Sequence, residues 1–255
     1  MGDAMVNGVT GRTALVTGAS RGLGAGIALA LAAKGFQIAV NYFSSEAAAE
    51  ALCLWIEQAG GVAVAFKADV REEGEVAALV RAVEGKLGPV DVLVLNATGP
   101  QPFLAIEEQT WRAYLDQLEF FVKSPLLLLQ AVLPGMKARG YGRVIQIGSE
   151  VMELGNPKFA NYVAAKGAQL GQTRSWAREL GPFGITVNLV APGWIPVERH
   201  AEAPAEELEA YRKGVPLGYQ GKPEDVGRMV AYLASEEAGF VTGQKIAVNG
   251  GNTLA

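Results

Sequence analysis

The stretch Thr13-Ala14-Leu15-Val16-Thr17-Gly18-Ala19-Ser20-Arg21-Gly22-Leu23-Gly24-Ala25-Gly26-Ile27-Ala28-Leu29-Ala30-Leu31 decides the fold. Its first residues read as a short buried strand and its last as an alanine- and leucine-rich helix, so the glycines stand where a strand turns sharply into a helix N-terminus. The first N–H groups of a helix lack partners within it and its dipole favours negative charge, while missing β-carbons let a ligand approach. Gly18, Ser20, Arg21, Gly22, Leu23 and Gly24 are therefore expected to cradle a pyrophosphate. A tight turn without ligand is the competing reading in a chain with 32 glycines; the position directly after the first strand favours the phosphate.

Outward from this unit, runs rich in β-branched residues alternate with longer Ala/Leu/Glu segments of helical period, the signature of a parallel sheet built from βαβ units. Strands are predicted at 13–17, 37–41, 62–67, 90–95, 142–147, 185–190 and 245–248. Several are continuous apolar runs, as strands buried on both faces require. No linker, charge block or repeat interrupts the pattern, so residues 11–255 are expected to form one doubly wound α/β domain behind a loose tail, 1–10. The longest irregular stretch, 194–217, carries Pro196, Pro204 and Pro216 around a short acidic helical segment, 205–213. Such an excursion behind a buried strand reads as a substrate lid, with a surface ornament as the alternative.

Doubly wound sheets bind ligands beyond the carboxyl ends of their strands. Asp69-Val70, after the third strand, offers a carboxylate to an adenine amino group, or caps a helix; Asn96-Ala97, after the fourth, leaves room for a ribose. The second strand ends in Asn41-Tyr42-Phe43-Ser44, with no acid of the kind that holds the ribose 2′-hydroxyl of NAD, and Arg21 offers a cation to a 2′-phosphate. Tyr42 joins the cofactor residues, and NADP(H) is favoured over NAD(H). A solvated loop charge is the plain alternative for Arg21.

Tyr162 and Lys166 stand four residues apart, which on a helix puts phenol and ammonium on one face. A phenol with its usual pKa of about 10 is a poor acid at neutral pH, and a neighbouring cation lowers that value. Ser149, at the end of the fifth strand, can hydrogen-bond a carbonyl at the same sheet edge. After the sixth strand, Pro192 and Gly193 turn the chain past that edge as well and could abut a nicotinamide ring.

In this order and spacing the motifs resemble the short-chain dehydrogenase/reductase family, from Arg12 to Gly251, and its Rossmann fold. The C-terminal Gly221-Lys222-Pro223-Glu224-Asp225-Val226, Thr242-Gly243-Gln244 and Asn249-Gly250-Gly251 are similar to those of 3-oxoacyl-carrier-protein reductases. The resemblance implies that Tyr162 is the general acid, that Lys166 lowers its pKa and binds the nicotinamide ribose, and that Ser149 polarises a carbonyl on a small-molecule or acyl substrate. It also implies a homotetramer, with the helix 161–180 and the C-terminal strand at subunit contacts. Enoyl reductases of the family space their tyrosine and lysine more widely than the four residues here.

Departures from the pattern are specific. The family usually places an asparagine on the helix before the fifth strand, linking the lysine to solvent through water. Counting back from Gln130-Ala131-Val132 puts Phe121 there and counting forward from Trp111 puts Leu118 there, which implies an insertion and leaves Gln117 or Glu119 as substitutes. Thr98 stands where a glycine is usual, and Val197 where many members carry a threonine.

Composition sets the bounds. Half of the 255 residues are hydrophobic and 19% are charged, material for a sizeable core. A net charge of −4 offers nothing to a phosphate backbone, so nucleic acid is not an expected partner. The sole cysteine, Cys53, excludes an intrachain disulfide and reads as packing. The N-terminus has no signal-peptide pattern, and the most apolar helix candidate, 125–133, falls well short of the roughly 20 residues of a membrane span. A cytoplasmic protein without a metal is expected. The competing function is a non-catalytic NADP(H)-binding sensor or scaffold, and the lone His200 reads as a surface or substrate-contacting residue rather than a catalyst. Trp194 and Phe103 either line an apolar pocket or pack the core.

Overall fold

The computed structural model describes residues 11–254; the expected tail, 1–10, lies outside the described residues. Seven parallel strands form one sheet: β1 Thr13–Val16, β2 Gln37–Tyr42, β3 Val62–Lys67, β4 Val90–Leu95, β5 Gly142–Ile147, β6 Ile185–Pro192 and β7 Lys245–Val248. Their order is β3-β2-β1-β4-β5-β6-β7, so the chain winds outward in both directions from β1 and β4. The crevice beyond the carboxyl ends of those two strands is where such folds take ligands.

Side chains along each strand alternate between two core layers. Ala14 and Val16 of β1, with Val92 and Val94 of β4, join one; Leu15, Leu93 and Leu95 join the other. The first layer is closed by α1 Gly22–Ala33, α2 Glu46–Gln58 and α9 Pro223–Ala234, the second by α3 Glu73–Leu87, α5 Ser124–Arg139 and α7 Ala160–Leu180. Both faces being covered explains why the strands are continuous apolar runs. Helices α1 and α9 meet backbone to backbone: a β-carbon on Gly26 would lie 2.6 Å from Pro223, and one on Gly227 2.6 Å from the Gly26 carbonyl.

The helix ahead of β5 corrects a sequence expectation. The apolar run 125–133 is only part of a continuous helical stretch, Trp111–Arg139, of 29 residues, long and apolar enough by length and composition to cross a membrane. It is made of α4 Trp111–Leu118, a π-helical turn Glu119–Lys123 and α5. The Ser124-Pro125 pair looks like a fresh helix start, but the wide π turn carries the helix straight through it. Leu128, Leu129, Val132 and Met136 of this helix bury against the sheet, which accounts for its apolar character within the domain. Cys53 packs in the core, where burial pushes its thiol up to about 11.

Two further α-helices and four 3-10 turns complete the described chain. α6 Val151–Leu154 follows Ser149, and α8 Ala205–Gly214 lies within the excursion 194–217.

Candidate active site

The glycine turn is held by side chains as much as by its own backbone. Gly18 and Gly22 have φ of +60° and +59°, a region that favours glycine. A β-carbon on Gly24 would lie 2.4 Å from the Gly18 carbonyl oxygen, so the turn closes on itself only with glycine there. Asn96 donates its amide to the Thr17 and Gly18 carbonyls at 2.9 and 3.1 Å, and the Thr17 hydroxyl accepts from the Asn96 and Ala97 N–H groups. The Asn96 side chain thus shapes the cradle. Asn41 accepts from Gly18 N–H and donates to the Ala68 carbonyl, tying the ends of β1, β2 and β3 together. Ser20 and Leu23 are half-buried in this turn and Arg21 is exposed at the head of α1, whose N-terminus no side chain caps.

A cavity of about 300 Å³ opens beside it, lined among others by Gly18, Asn41, Phe43, Asp69, Val70 and Ala97. Strand alternation puts Asn41 and Phe43 on this cavity and Tyr42 on the opposite face. Tyr42 is buried in the core and its phenol donates to Glu46 at 2.8 Å, so the expected place of Tyr42 at the cofactor is corrected. Asp69 is at the cavity, but its carboxylate is gripped by Arg71 through Nε at 2.9 Å and Nη2 at 2.6 Å. That hydrogen bonding holds the Asp69 carboxyl below its ordinary value. The Arg71 guanidinium also lies 4.9 Å over the Phe120 ring, making it part of the cavity wall. Thr98 is exposed at the rim, and the neighbouring Gly99 meets Phe120, whose ring would lie 2.3 Å from a β-carbon there.

At the other end of the crevice, Tyr162 and Lys166 share the buried stripe of α7 with Ala165, Gln169, Thr173 and Ala177. Lys166, 3% exposed, donates to the Ile147 carbonyl at 2.6 Å, two residues before Ser149, and to Gln169 Oε1 at 3.1 Å. Its ammonium lies 3.8 Å from the centre of the Phe121 ring and 5.6 Å from that of Tyr162. Phe121 and Phe159 bracket the Tyr162 ring at 5.4 and 4.7 Å, and Phe103 stacks on Phe159 at 4.2 Å. Ser149 is half-buried at the end of β5, its hydroxyl accepting from Val151 N–H at 3.4 Å. The π turn resolves the two counts made on the sequence. Phe121 is the residue at the lysine, while Gln117 donates to the Pro100 carbonyl and Glu119 pairs with Arg112. The side chain that accepts from Lys166 is Gln169, one turn along the same helix.

Beyond β6, Pro192 and Ile195 are buried, and Gly193 is glycine because a β-carbon would lie 2.4 Å from the Tyr211 hydroxyl. The chain then rests on the glycine turn: Val197 and the Glu198 carboxylate each lie 3.4 Å from where a Gly22 β-carbon would be. His200 accepts from Val197 N–H at 3.3 Å and meets the Trp194 ring edge-on. Arg71, Gln169, Tyr211 and Glu150 escaped the reading of the sequence, since each acts through a partner set by strand register or a distant segment. Only Glu150, next to Ser149, had a cue.

Comparisons with known proteins bear on this geometry. The profile of a family described as Enoyl-(Acyl carrier protein) reductase matches residues 18–253. The 3-oxoacyl-(acyl-carrier-protein) reductase FabG of Staphylococcus aureus is 42% identical over 243 residues, covering 94% of this chain and 97% of the relative. The acetoacetyl-CoA reductase of Rhizobium meliloti is 38% identical over 247 residues, with 96% and 99% coverage. Among solved structures, a blue fluorescent protein from a metagenomic library, in complex with NADPH, aligns with a TM-score of 0.88 at 38% identity, covering 96% of this chain and 99% of that one.

Proposed function

The chain belongs to the short-chain dehydrogenase/reductase family, whose members interconvert carbonyls and alcohols with a nicotinamide cofactor, and on that premise we propose that it reduces the 3-oxo group of an acyl thioester with NADPH. The observation that carries this reading is the buried Tyr162 and Lys166 stripe of α7, docked through Ile147 onto the end of β5, two residues before Ser149. Two named relatives act on 3-oxoacyl thioesters, and the four-residue tyrosine–lysine interval speaks against enoyl reduction.

The residues fit the cofactor. An uncapped helix N-terminus with open N–H groups suits the pyrophosphate, held by Gly18, Ser20, Arg21, Gly22, Leu23 and Gly24. The cavity lined by Asn41, Phe43, Asp69 and Val70 suits an adenosine-sized group, and Ala97 borders it. Pro192, Gly193 and Ile195 would border the nicotinamide, and Lys166 would hold its ribose. When bound, the nicotinamide supplies the hydride. Exposed Arg21 offers a charge to a 2′-phosphate, which supports NADPH over NADH.

The chain's own groups then divide the work. Ser149 donates a hydrogen bond to the carbonyl oxygen and fixes its direction. Tyr162 hands its phenolic proton to that oxygen as the alcohol forms, and the Lys166 ammonium favours the phenolate left behind. Phe103, Phe159 and Phe121 keep the surroundings of the phenol apolar. The excursion 194–217 is the lid. Homotetrameric assembly and a cytoplasmic location, without membrane or nucleic-acid partner, complete the reading.

Assaying acetoacetyl-CoA with NADPH and with NADH tests it. Turnover preferring NADPH, lost in Tyr162→Phe while cofactor fluorescence titration still reports binding, is the expected result. Cofactor binding without turnover of any carbonyl in a wider panel would overturn it in favour of a sensor.

A further inference from the structure

Glu150 follows Ser149 directly and is a buried carboxylate, 3% exposed. Burying such a group is costly unless hydrogen bonds replace its water. Three neutral donors from two distant segments do so. The Tyr211 hydroxyl donates to Oε1 at 2.6 Å, and the Asn249 and Asn252 amides each donate to Oε2 at 3.1 Å. Tyr211 sits on α8 of the excursion, and the two asparagines lie on the segment after β7. The backbone joins in, since Glu150 N–H donates to the Pro192 carbonyl at 3.0 Å.

The Tyr211 hydroxyl is used on both sides. While donating to Glu150 it accepts from Trp194 N–H at 2.8 Å, and the Trp194 ring stands edge-on to Tyr211 at 5.7 Å. The absent side chain of Gly193 makes room for that hydroxyl, 2.4 Å from where its β-carbon would be. Burial and the Glu150 contact push the Tyr211 phenol up, so it remains a proton donor at any working pH. Glu150, Tyr211 and the backbone at 192–194 therefore form one hydrogen-bonded knot beside the serine.

We propose that Glu150 and Tyr211 are positioning residues, a latch that holds the excursion 194–217 shut beside Ser149, so that closing the lid and placing the serine are one event. The proposal rests on the reading of Ser149 as the carbonyl-binding group. Opening the latch frees the lid and leaves the chemistry at Tyr162 intact, so the effect falls on substrate capture.

Tyr211→Phe keeps the ring against Trp194 and removes only the hydroxyl. Hydrogen–deuterium exchange of the full chain is expected to speed up about tenfold across 194–217, the size of one lost hydrogen bond to a charged group. KM for acetoacetyl-CoA should rise by a similar factor with kcat altered less. Glu150→Gln, which sets an amide N–H₂ against the Asn249 and Asn252 donors, should act in the same direction, and the double variant should be no worse than the stronger single one. Wild-type exchange and wild-type KM in both single variants would overturn the latch. Should the wild-type protein turn over no carbonyl, the reading of Ser149 falls, while the exchange data alone still decide whether the latch exists.

Discussion

Lys166 sits in a setting that no spacing rule describes. Its ammonium is held by a main-chain carbonyl, by Gln169 and by the face of Phe121, where the family resemblance places an asparagine that passes protons to water. A benzene ring attracts the cation but transfers no proton, and the polar side chain seen at the ammonium is Gln169 of α7. Replacing Gln169 by Leu removes that acceptor without touching the carbonyl of Ile147, and kcat should fall about tenfold with KM little changed, the cost of one hydrogen bond to a charged group. Steady-state kinetics with acetoacetyl-CoA checks this; an unaltered kcat would take Gln169 out of the catalytic apparatus. Asp69 carries the pH-dependent prediction. Its folded pKa lies below the unfolded value of about 3.9, chiefly through the Arg71 hydrogen bond, so its contribution is present above about pH 4 and is lost as the pH falls through the folded value. Urea midpoints of wild type and Arg71→Met should therefore differ at neutral pH and converge in acid. A gap constant with pH would assign the loss to the stacking of Arg71 on Phe120 instead.

At the scale of elements, the turn between β1 and α1 shows how one motif holds glycines for different reasons. Gly22 needs its positive φ but leaves a β-carbon at ordinary contact distance from Val197 and Glu198, whereas a Gly24 β-carbon meets the rigid backbone of the turn. Gly24→Ala should cost about 2–3 kcal/mol, as overpacking does, and Gly22→Ala about 1 kcal/mol, as one residue in the left-handed region does. Urea denaturation of the two variants side by side measures the difference. The same element scale is where the sequence was most legible. Continuous β-branched runs mark buried strands, and β3, β4, β5 and β7 begin and end at the predicted residues. Alternation within a strand was the blind spot at the site: whether residue 41, 42 or 43 faces the ligand depends on where the pleat starts, and Tyr42 took the core side. The helix ahead of β5 was misread for another reason. Ser124-Pro125 imitates a helix start, and no residue type announces a π turn, so the choice between Phe121 and Leu118 at Lys166 came only from the fold.

For the whole molecule, the outward face of α7 carries the last prediction. Ala164, Gly167, Ala168 and Gly171 are exposed along it, and a β-carbon on either glycine would meet nothing within 4 Å. Glycine in the middle of a helix costs roughly 0.5–1 kcal/mol relative to alanine, and nothing among the described residues packs against these positions to repay that loss. Close approach of a second helix in the proposed assembly would, since small residues let two backbones come together. If the chain were a monomer, Gly167→Ala and Gly171→Ala would each raise its stability by about that amount and Gly167→Leu would be harmless. In the proposed assembly, Gly167→Leu instead splits the oligomer, because a leucine on this stripe holds the partner helix away. Light scattering coupled to size exclusion reads the mass directly, and circular dichroism shows whether the chain itself stays folded. A smaller particle with native helix content is the expected outcome; an unchanged mass would move the subunit contact off α7, leaving the half-buried edge strand β7 as the surface to test next.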